Sequence, residues 1–260
     1  MDIITSKDNP KVKYLASLHD NKTSRITKAV IVEGVRSCED ALKWNVKPLK
    51  AVADEKHAAW AQDVSDKNNC ECIILSEACF RKISKTVNPQ GVALVIGRDD
   101  SSGEIGLRGE DKDIFLCLED IQDPGNLGTM IRIADAFDFN AVLVTKNTVD
   151  AYNDKVIRSS MGSIWKVPVI EFENSEMMID KLHKINVKTI AAELHGDDLG
   201  KAGIDLPVAY FIGNEGAGLK PETIDKCDIK IKLRMDGKAE SLNAASAASI
   251  LGFYLQGLRG

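Results

Sequence analysis

The sequence lacks the features of a membrane, secreted or zinc-binding protein. No apolar run among its 260 residues approaches the roughly 20 residues that cross a bilayer. The opening stretch MDIITSKDNPKVK has no apolar segment of the kind found in signal peptides. The six cysteines form no Cys-x-x-Cys pair, and Cys70, Cys72 and Cys79 fit no common zinc spacing. We therefore expect reduced thiols, no metal, no membrane attachment and a cytoplasmic location.

An excess of positive charge is also missing. The 34 Lys and Arg residues stand against 39 Asp and Glu, and a net charge of -5 argues, as an average, against a nucleic-acid partner. The charge is unevenly distributed, however. Residues 1–98 hold 16 basic and 12 acidic residues, a net +4, whereas residues 99–260 hold 18 and 27, a net -9. The average therefore conceals a basic N-terminal part, whose whole excess lies in residues 1–50.

The pattern of apolar runs predicts two α/β domains joined by a linker. Residues 99–112 are polar and lack periodicity, which indicates a linker or, alternatively, a long surface loop. Residues 1–98 alternate four short strands with helices, typical of a small open-sheet unit. Residues 113–260 alternate six strands with helices, which predicts a doubly wound, mostly parallel sheet. The strands predicted there are 115–118, 141–144, 167–171, 189–192, 208–212 and 229–233, and the helices are 128–137, 154–161, 175–185, a short one after Pro221, and 241–258.

Ligands of parallel α/β sheets bind at the carboxyl ends of the strands, so the loops that follow strands are the candidate site. In the loop LEDIQDPGNLGTMIRIADAF, Pro124-Gly125 forces a turn before Asn126, and Arg132 follows six residues later. Asn126 can be a plain helix cap and Arg132 a surface residue, or both can carry polar chemistry. The residues alone leave both interpretations open.

Two later loops have similarly suggestive patterns. The loop FIGNEGAGLKPE has three glycines, Gly213, Gly216 and Gly218, around the polar pair Asn214-Glu215. Its backbone amides can therefore bind a ligand, although a plain turn is the simpler interpretation. Its G-x-x-G-x-G order is not the dinucleotide fingerprint, which disfavours a nicotinamide-dependent oxidoreductase. In the last loop, Ser241 and Asn243 precede a helix of small residues, and both are natural cap residues.

Taken in order, these loops resemble the SpoU (TrmH-like) branch of the SPOUT RNA methyltransferases over about residues 113–260. The matching pieces are Asn126-x5-Arg132, Asn214-Glu215-Gly216-x-Gly218-Leu219, Ser241-Leu242-Asn243 and the segment 156–169, VIRSSMGSIWKVPV. Residues 1–98 are similar to the ribosomal-protein-like substrate-binding domain that many members carry. One departure is Arg234, where many members have Pro.

The resemblance implies transfer of a methyl group from S-adenosylmethionine to a ribose 2′-hydroxyl of structured RNA, with ribosomal RNA favoured by the N-terminal domain. It also implies a C-terminal trefoil knot and a homodimer. The positions that match the polar active-site set are Asn126, Arg132, Glu215, Ser241 and Asn243. Those that match or border the methyl-donor site are Ala192, Ile212, Gly213, Asn214, Gly216, Leu233, Met235 and Leu242.

The role of Arg132 stays open between two chemistries. The resemblance makes it the base, whereas a guanidinium pKa above about 12 favours a bidentate grip on phosphate and on developing negative charge. The expected RNA contacts are Lys7, Lys11, Lys13 and Arg25 in the basic N-terminal part, together with Arg158. A non-catalytic RNA-binding or assembly protein with the same fold is the alternative, and the intact polar set argues against it.

Overall fold

The computed structural model describes residues 2–98, 107–238 and 240–260. Internal contacts divide the chain into two units. Unit 1 consists of the described residues up to 100 together with Tyr152–Trp165, and unit 2 consists of the described residues of 101–151 and 166–260. Of the predicted linker, residues 99–106 lie outside the described residues. No described helix has the length and apolar character needed to cross a membrane.

The described residues of the N-terminal part form five strands and five α-helices. They are β1 (Ile3–Ile4), α1 (Pro10–Ser17), α2 (Asn21–Thr27), β2 (Ala29–Glu33), α3 (Val35–Lys43), β3 (Pro48–Asp54), α4 (Ala58–Asn68), β4 (Glu71–Leu75), α5 (Glu77–Ile83) and β5 (Val92–Gly97). The four strands predicted from the apolar pattern, at 29–34, 49–53, 72–75 and 91–96, are present as β2, β3, β4 and β5. The pattern did not predict β1, which has two residues, or α2, which has one buried residue, Ser24.

Unit 1 is built on a mixed sheet of order β1-β4-β3-β5-β2, in which β5 runs antiparallel to both neighbours. Alternate residues of each strand face opposite sides of the sheet. Ile31 and Val95 pack with α1 and α5, whereas Val32 and Leu94 pack with α3, α4 and the segment from Tyr152. Each face therefore has its own apolar core.

In the C-terminal part, the residues that the structure describes form six strands and five α-helices. They are β6 (Ile114–Leu118), α6 (Pro124–Ala136), β7 (Ala141–Thr145), α7 (Asp154–Ser160), β8 (Val169–Phe172), α8 (Ser175–Lys184), β9 (Lys188–Asp198), β10 (Val208–Ile212), α9 (Pro221–Lys226), β11 (Ile229–Lys232) and α10 (Ala244–Gly257). Helix α7 belongs to unit 1, and the other elements belong to unit 2.

Unit 2 is a six-stranded sheet of order β11-β9-β10-β6-β7-β8, and every pairing in it is parallel. This confirms the predicted α/β fold with a parallel sheet. All five residues of β6 are buried, as expected for a strand covered on both faces. Phe115 and Cys117 pack toward α8, and on the other side the Tyr210 hydroxyl donates to the Ala248 carbonyl of α10 at 3.1 Å.

Helix α10 begins at Ala244, after the cap Asn243, rather than at Ser241 as predicted. Two other predicted boundaries in unit 2 were wrong by four residues or more. Helix α6 begins at Pro124 rather than Gly128, because Asp123 is the N-cap and Pro occupies the first helical position. Strand β9 continues to Asp198 rather than ending at residue 192. Its extension pairs with β11 across a register shift, and at Gly196 a Cβ would lie 2.5 Å from the Lys230 carbonyl carbon. Both differences alter the loops at the carboxyl end of the sheet.

Candidate active site

The loop after β6 places Asn126 inside a helix rather than at its cap. The Asp123 carboxylate accepts the Asn126 backbone N–H at 2.9 Å and thereby caps α6. Asn126 therefore lies in the first helical turn, and its side chain is available for contacts outside the helix. The plain-cap interpretation of Asn126 is wrong.

Glu215 connects the loop after β10 to the loop after β6. Its carboxylate accepts the backbone N–H groups of Gln122 at 3.2 Å and Asp123 at 3.0 Å, and the Asn126 side-chain amide at 3.0 Å. Partial burial raises the pKa of Glu215, but the hydrogen bonds from Asn126 and the backbone outweigh it and hold the pKa below its usual value. The carboxylate therefore stays ionised at neutral pH.

Asn243 joins the same network from the third loop. Its side-chain oxygen caps α10 by accepting the N–H groups of Ala245 at 2.9 Å and Ser246 at 3.3 Å. Its side-chain nitrogen donates to the Asn126 oxygen at 3.1 Å. The backbone N–H groups of Ala245 and Ser246 fix the orientation of the Asn243 amide. The Glu215 carboxylate fixes the orientation of the Asn126 amide. Glu215, Asn126 and Asn243 thus form one directed hydrogen-bonded chain across three loops.

The loop after β10 is folded tightly by Asn214. Its backbone pairs with Gly218 in both directions at 2.9–3.0 Å, and its side-chain oxygen accepts the N–H groups of Gly216 at 2.9 Å and Ala217 at 3.0 Å. Its side-chain nitrogen donates to the Asp120 carbonyl at 2.9 Å. At Gly213 a Cβ would lie 2.1 Å from the Gly218 carbonyl carbon, so no larger residue fits there.

A cavity of about 450 Å³, which we name the Gly213 cavity, lies between the second half of β9 and the loops that follow β10 and β11. Its volume is in the range of small-molecule sites. Its lining includes all eight positions predicted for the methyl donor, namely Ala192, Ile212, Gly213, Asn214, Gly216, Leu233, Met235 and Leu242, and two predicted catalytic positions, Glu215 and Ser241.

The extended part of β9 adds residues to this lining that the sequence analysis missed. Glu193, Leu194 and His195 line the Gly213 cavity, because β9 continues past Ala192. The His195 N–H donates to the Glu193 carboxylate at 2.9 Å. The sequence after Ala192 has no apolar periodicity, so it did not indicate a strand. Gly196 was the one residue there that indicated a close approach between strands.

The other predicted catalytic residues line a separate cavity of about 460 Å³ between α6 and α10, which we name the Arg132 cavity. Arg132, Asn126 and Asn243 all contribute to it. Arg132 does not line the Gly213 cavity, whereas Asn126 hydrogen-bonds to Glu215, which does. The five predicted catalytic residues are therefore divided between two cavities that the hydrogen-bonded chain connects.

The predicted RNA-binding residues all belong to unit 1 and do not form one cluster of free cations. Lys11 pairs with Glu71 at 2.6 Å, and Lys13 pairs with Asp8 at 3.1 Å. Arg158 lies in α7, where it pairs with Asp154 at 2.8 Å. Exposed ion pairs of this kind contribute about 0–1 kcal/mol, so they can be exchanged for a phosphate. Lys7 is exposed and Arg25 is half-buried.

The six cysteines form no disulfide. All six are free, and burial raises the pKa of the Cys227 thiol to about 12. Burial also raises the pKa values of Cys70 and Cys72. Within the described ranges, no cluster of three or more His, Cys, Asp or Glu residues could hold a metal ion.

The chain is similar to known RNA-modifying proteins over nearly its whole length. Residues 113–253 match the SpoU rRNA methylase family, and residues 9–94 match the MRM3-like substrate binding domain. The 23S rRNA (guanosine(2553)-2′-O)-methyltransferase RlmP of Bacillus subtilis is 33% identical over 99% of this chain and all of the relative. The 23S rRNA (uridine(2479)-2′-O)-methyltransferase of Streptomyces viridochromogenes is 29% identical over 95% of this chain and 89% of the relative.

Solved structures show the same relationship. The AdoMet-bound rRNA methyltransferase from Sinorhizobium meliloti has a TM-score of 0.87 and 27% identity, covering 98% of this chain and 97% of that one. A structure described as an RNA 2′-O ribose methyltransferase has a TM-score of 0.81 and 28% identity, covering 99% of both chains. The similarity therefore extends through both units.

Proposed function

This chain belongs to the SpoU rRNA methylase family, and we propose that it transfers a methyl group from S-adenosylmethionine to the 2′-hydroxyl of a ribose in ribosomal RNA. The observation that carries the proposal is the Gly213 cavity. Eight positions that match or border the family's donor site line it, and Glu215 on its wall begins the hydrogen-bonded chain to Asn126 and Asn243. Named relatives that methylate 23S rRNA at ribose oxygens support the choice of substrate.

The Gly213 cavity fits the methyl donor chemically. Ile212, Leu233 and Met235 provide apolar walls for an adenine ring. The absence of a side chain at Gly213 allows the backbone of the two neighbouring turns to approach each other closely. When bound, S-adenosylmethionine supplies a methyl group on a positively charged sulfonium. The ionised Glu215 carboxylate on the cavity wall complements that positive charge.

The ribose hydroxyl is a poor nucleophile, and we assign its activation to the polar set. The donor, when bound, would supply the methyl group and leave as S-adenosylhomocysteine when its methyl–sulfur bond breaks. The ribose hydroxyl would lose its proton to water, and the negative charge that develops on the oxygen needs stabilisation. Arg132 supplies that stabilisation and binds the adjoining phosphate bidentately, since its guanidinium stays protonated. Glu215 and Asn243 hold the Asn126 amide in one orientation, so that it can position the ribose.

The two predicted domains have different tasks in this proposal. Residues 1–98 form the RNA substrate-binding domain, and residues 113–260 form the methyltransferase domain. Lys7, Lys11, Lys13, Arg25 and Arg158 contribute the expected RNA contacts. The net +4 charge of residues 1–98 supports this division, because RNA affinity depends on neutralising phosphates. We also propose a cytoplasmic location, which a ribosomal substrate supports.

A homodimer and a C-terminal trefoil knot are also part of the proposal. Phe253 is 69% exposed and Ile250 46% exposed on α10, and these apolar side chains support a partner-facing surface. The chain leaves β11 at one edge of the sheet, yet the following helix α10 packs against α6 nearer the sheet centre. This long return past the loop after β10 supports the knot.

The proposal is tested with the full-length protein, an unmodified 23S rRNA transcript and methyl-labelled S-adenosylmethionine. We expect label in the RNA at a position that resists alkaline cleavage, because a 2′-O-methyl group removes the nucleophile of that cleavage. Comparing 2′-O-methylated positions in cells with and without the gene then identifies the nucleotide. Donor and RNA binding without any transfer would instead favour the non-catalytic RNA-binding alternative.

A further inference from the structure

Unit 1 contains a polar cavity of about 440 Å³, which we name the Arg36 cavity. It lies where β2 ends and Gly34 leads into α3. The loop 84–91, which precedes β5, forms its second wall, and α7 with Met161 forms the third. None of the predicted donor-binding or catalytic residues belongs to it.

The walls of the Arg36 cavity are fixed in place. The Glu33 carboxylate accepts the Thr86 hydroxyl at 2.8 Å, the Lys85 N–H at 3.2 Å and the Ser84 hydroxyl. The Gln90 side-chain oxygen accepts the Val35 N–H at 3.0 Å, which joins the loop 84–91 to α3. The cavity is therefore preformed rather than created by a ligand.

Gly91 is a strict requirement for this loop shape. Its φ is +73°, and a Cβ there would lie 2.3 Å from the Asp54 carboxylate and 2.5 Å from the His57 ring. The Asp54 carboxylate and the His57 ring are hydrogen-bonded to each other at 2.7 Å, so neither side chain is free to move away from a Cβ at position 91. Gln90, the residue before Gly91, is thereby held at the cavity wall.

The side chains that line the Arg36 cavity have unused hydrogen-bonding capacity. Within the described part of the chain, Arg36 and Asn88 have no side-chain partner, and the Gln90 amide nitrogen has none. Asp40 adds a carboxylate acceptor, and Ile157 and Met161 add an apolar side. A ligand that matches this lining has an anionic group, an edge of donors and acceptors, and a flat apolar face.

A nucleotide has all three of these features. Arg binds phosphate through its planar fork, and Asn and Gln amides bind the edges of bases. Proteins recognise RNA sequence mainly at unpaired nucleotides, whose bases leave the stack and pack against side chains. Arg158, an expected RNA contact, lines the same cavity and adds a second guanidinium, although it is paired with Asp154.

We propose that the Arg36 cavity binds one unpaired nucleotide of the RNA substrate, a nucleotide other than the one that is methylated. This inference rests on the proposed function. Arg36 contacts the phosphate, Asn88 and Gln90 contact the base edge, and Ile157 and Met161 contact the base face. The cavity thus allows unit 1 to select RNA by its base sequence. Lys11 and Lys13 cannot do this, because cations contact phosphates, which are the same for every base.

The test compares Arg36→Ala and Asn88→Ala with Lys43→Ala in the full-length protein, using an unmodified 23S rRNA transcript as the probe. Lys43 is a matched control, because it is an exposed cation without a described partner at the opposite end of the same helix. We expect each cavity variant to weaken RNA binding, and to raise the KM for RNA, about tenfold, as loss of one good contact does. The Kd for S-adenosylmethionine, the kcat at saturating RNA and the melting temperature should not change.

Salt dependence separates the two kinds of contact. Arg36→Ala should reduce the slope of log Kd against log salt concentration by about 1, whereas Asn88→Ala should leave the slope unchanged. Equal RNA affinity for all three variants and the wild type would overturn the assignment of the cavity. A wild-type protein that binds the transcript but does not methylate it would overturn the proposed function but not the role of the cavity. The RNA affinities of the variants would still test that role.

Discussion

The Glu215 carboxylate accepts the side-chain amide of Asn126 at 3.0 Å, although the two residues lie 89 positions apart in the chain. The same carboxylate accepts two backbone N–H groups from the loop that leads into α6. Glu215 therefore holds the entrance of α6 against the loop after β10. Its loss affects both the stability of unit 2 and the orientation of the amide that faces the proposed ribose.

Glu215→Gln should reduce the free energy of unfolding at pH 7 by about 1 kcal/mol, because charged hydrogen bonds are replaced by neutral ones at a partly solvated site. It should also slow methyl transfer. Urea denaturation and single-turnover transfer measure the two effects. Glu222→Gln is the matched control, since Glu222 is exposed and makes no described side-chain hydrogen bond.

The difference between Glu215→Gln and the wild type should depend on pH. The folded-state pKa of Glu215 is lowered, so its stabilisation is present above the unfolded pKa of about 4.3 and is lost as the pH falls through the folded value. Denaturation midpoints of the two proteins should therefore converge as the pH falls from 5 toward about 3. A difference that is the same at pH 7 and at about pH 3 would contradict an ionised Glu215.

Arg132→Ala should abolish methyl transfer and leave donor binding and the melting temperature largely intact, because Arg132 lies outside the Gly213 cavity and its side chain is exposed. Arg132→Lys should also fail, since a lysine lacks the planar fork that binds phosphate bidentately. Arg108→Ala is the control, an exposed arginine of unit 2 outside both cavities. Near-normal turnover of Arg132→Ala would remove this residue from the catalytic set.

The meeting of the three loops could be predicted from the sequence. In a parallel sheet the carboxyl ends of the strands lie at one edge, so polar residues that follow β6, β10 and β11 come together there. The division of the catalytic set between two cavities could not be predicted. It depends on which side of α6 carries Arg132 and on how α10 packs against α6. Both depend on contacts between segments that are distant in the sequence, which a local pattern does not reveal.

The errors in element boundaries have physical explanations. The pattern Asp123-Pro124 is typical of a cap followed by the first helical residue, but the following glycine favoured a turn. The extension of β9 from Glu193 to Asp198 is polar except for Leu194, and its pairing with β11 is a contact between segments distant in the sequence. Helix α2 has too few buried residues for a periodic pattern, although Asp20 caps it by accepting the Thr23 N–H at 2.8 Å.

Phe253→Asp should convert the proposed homodimer to a monomer, because it places a charge in the middle of the exposed apolar side of α10. Light scattering coupled to size-exclusion chromatography measures the mass of the wild type and the variant. Met177→Asp is the control, since Met177 is 54% exposed on α8. A wild type that is monomeric at all concentrations, or a dimeric Phe253→Asp, would exclude α10 as the dimer surface.

Gly213→Ala and Gly216→Ala lie in the same loop but should behave differently. At Gly213 the new Cβ would lie 2.1–2.3 Å from backbone atoms of Gly218 and Leu219, and backbone cannot move aside as a flexible side chain can. At Gly216 the nearest atom is the Asn214 side-chain oxygen at 3.6 Å, an ordinary contact. We therefore expect Gly213→Ala to destabilise the protein by about 1–3 kcal/mol, the usual cost of overpacking.

Gly213→Ala should also weaken binding of S-adenosylmethionine, because the loop that forms the cavity wall must shift to relieve the clash. Isothermal titration calorimetry and thermal unfolding, applied to both variants, separate the loss of the site from the loss of the fold. Gly216→Ala should keep the wild-type melting temperature. If Gly213→Ala bound the donor as tightly as the wild type, the close approach of the two turns at Gly213 would not be what shapes the donor site, and the assignment of the Gly213 cavity would fail with it.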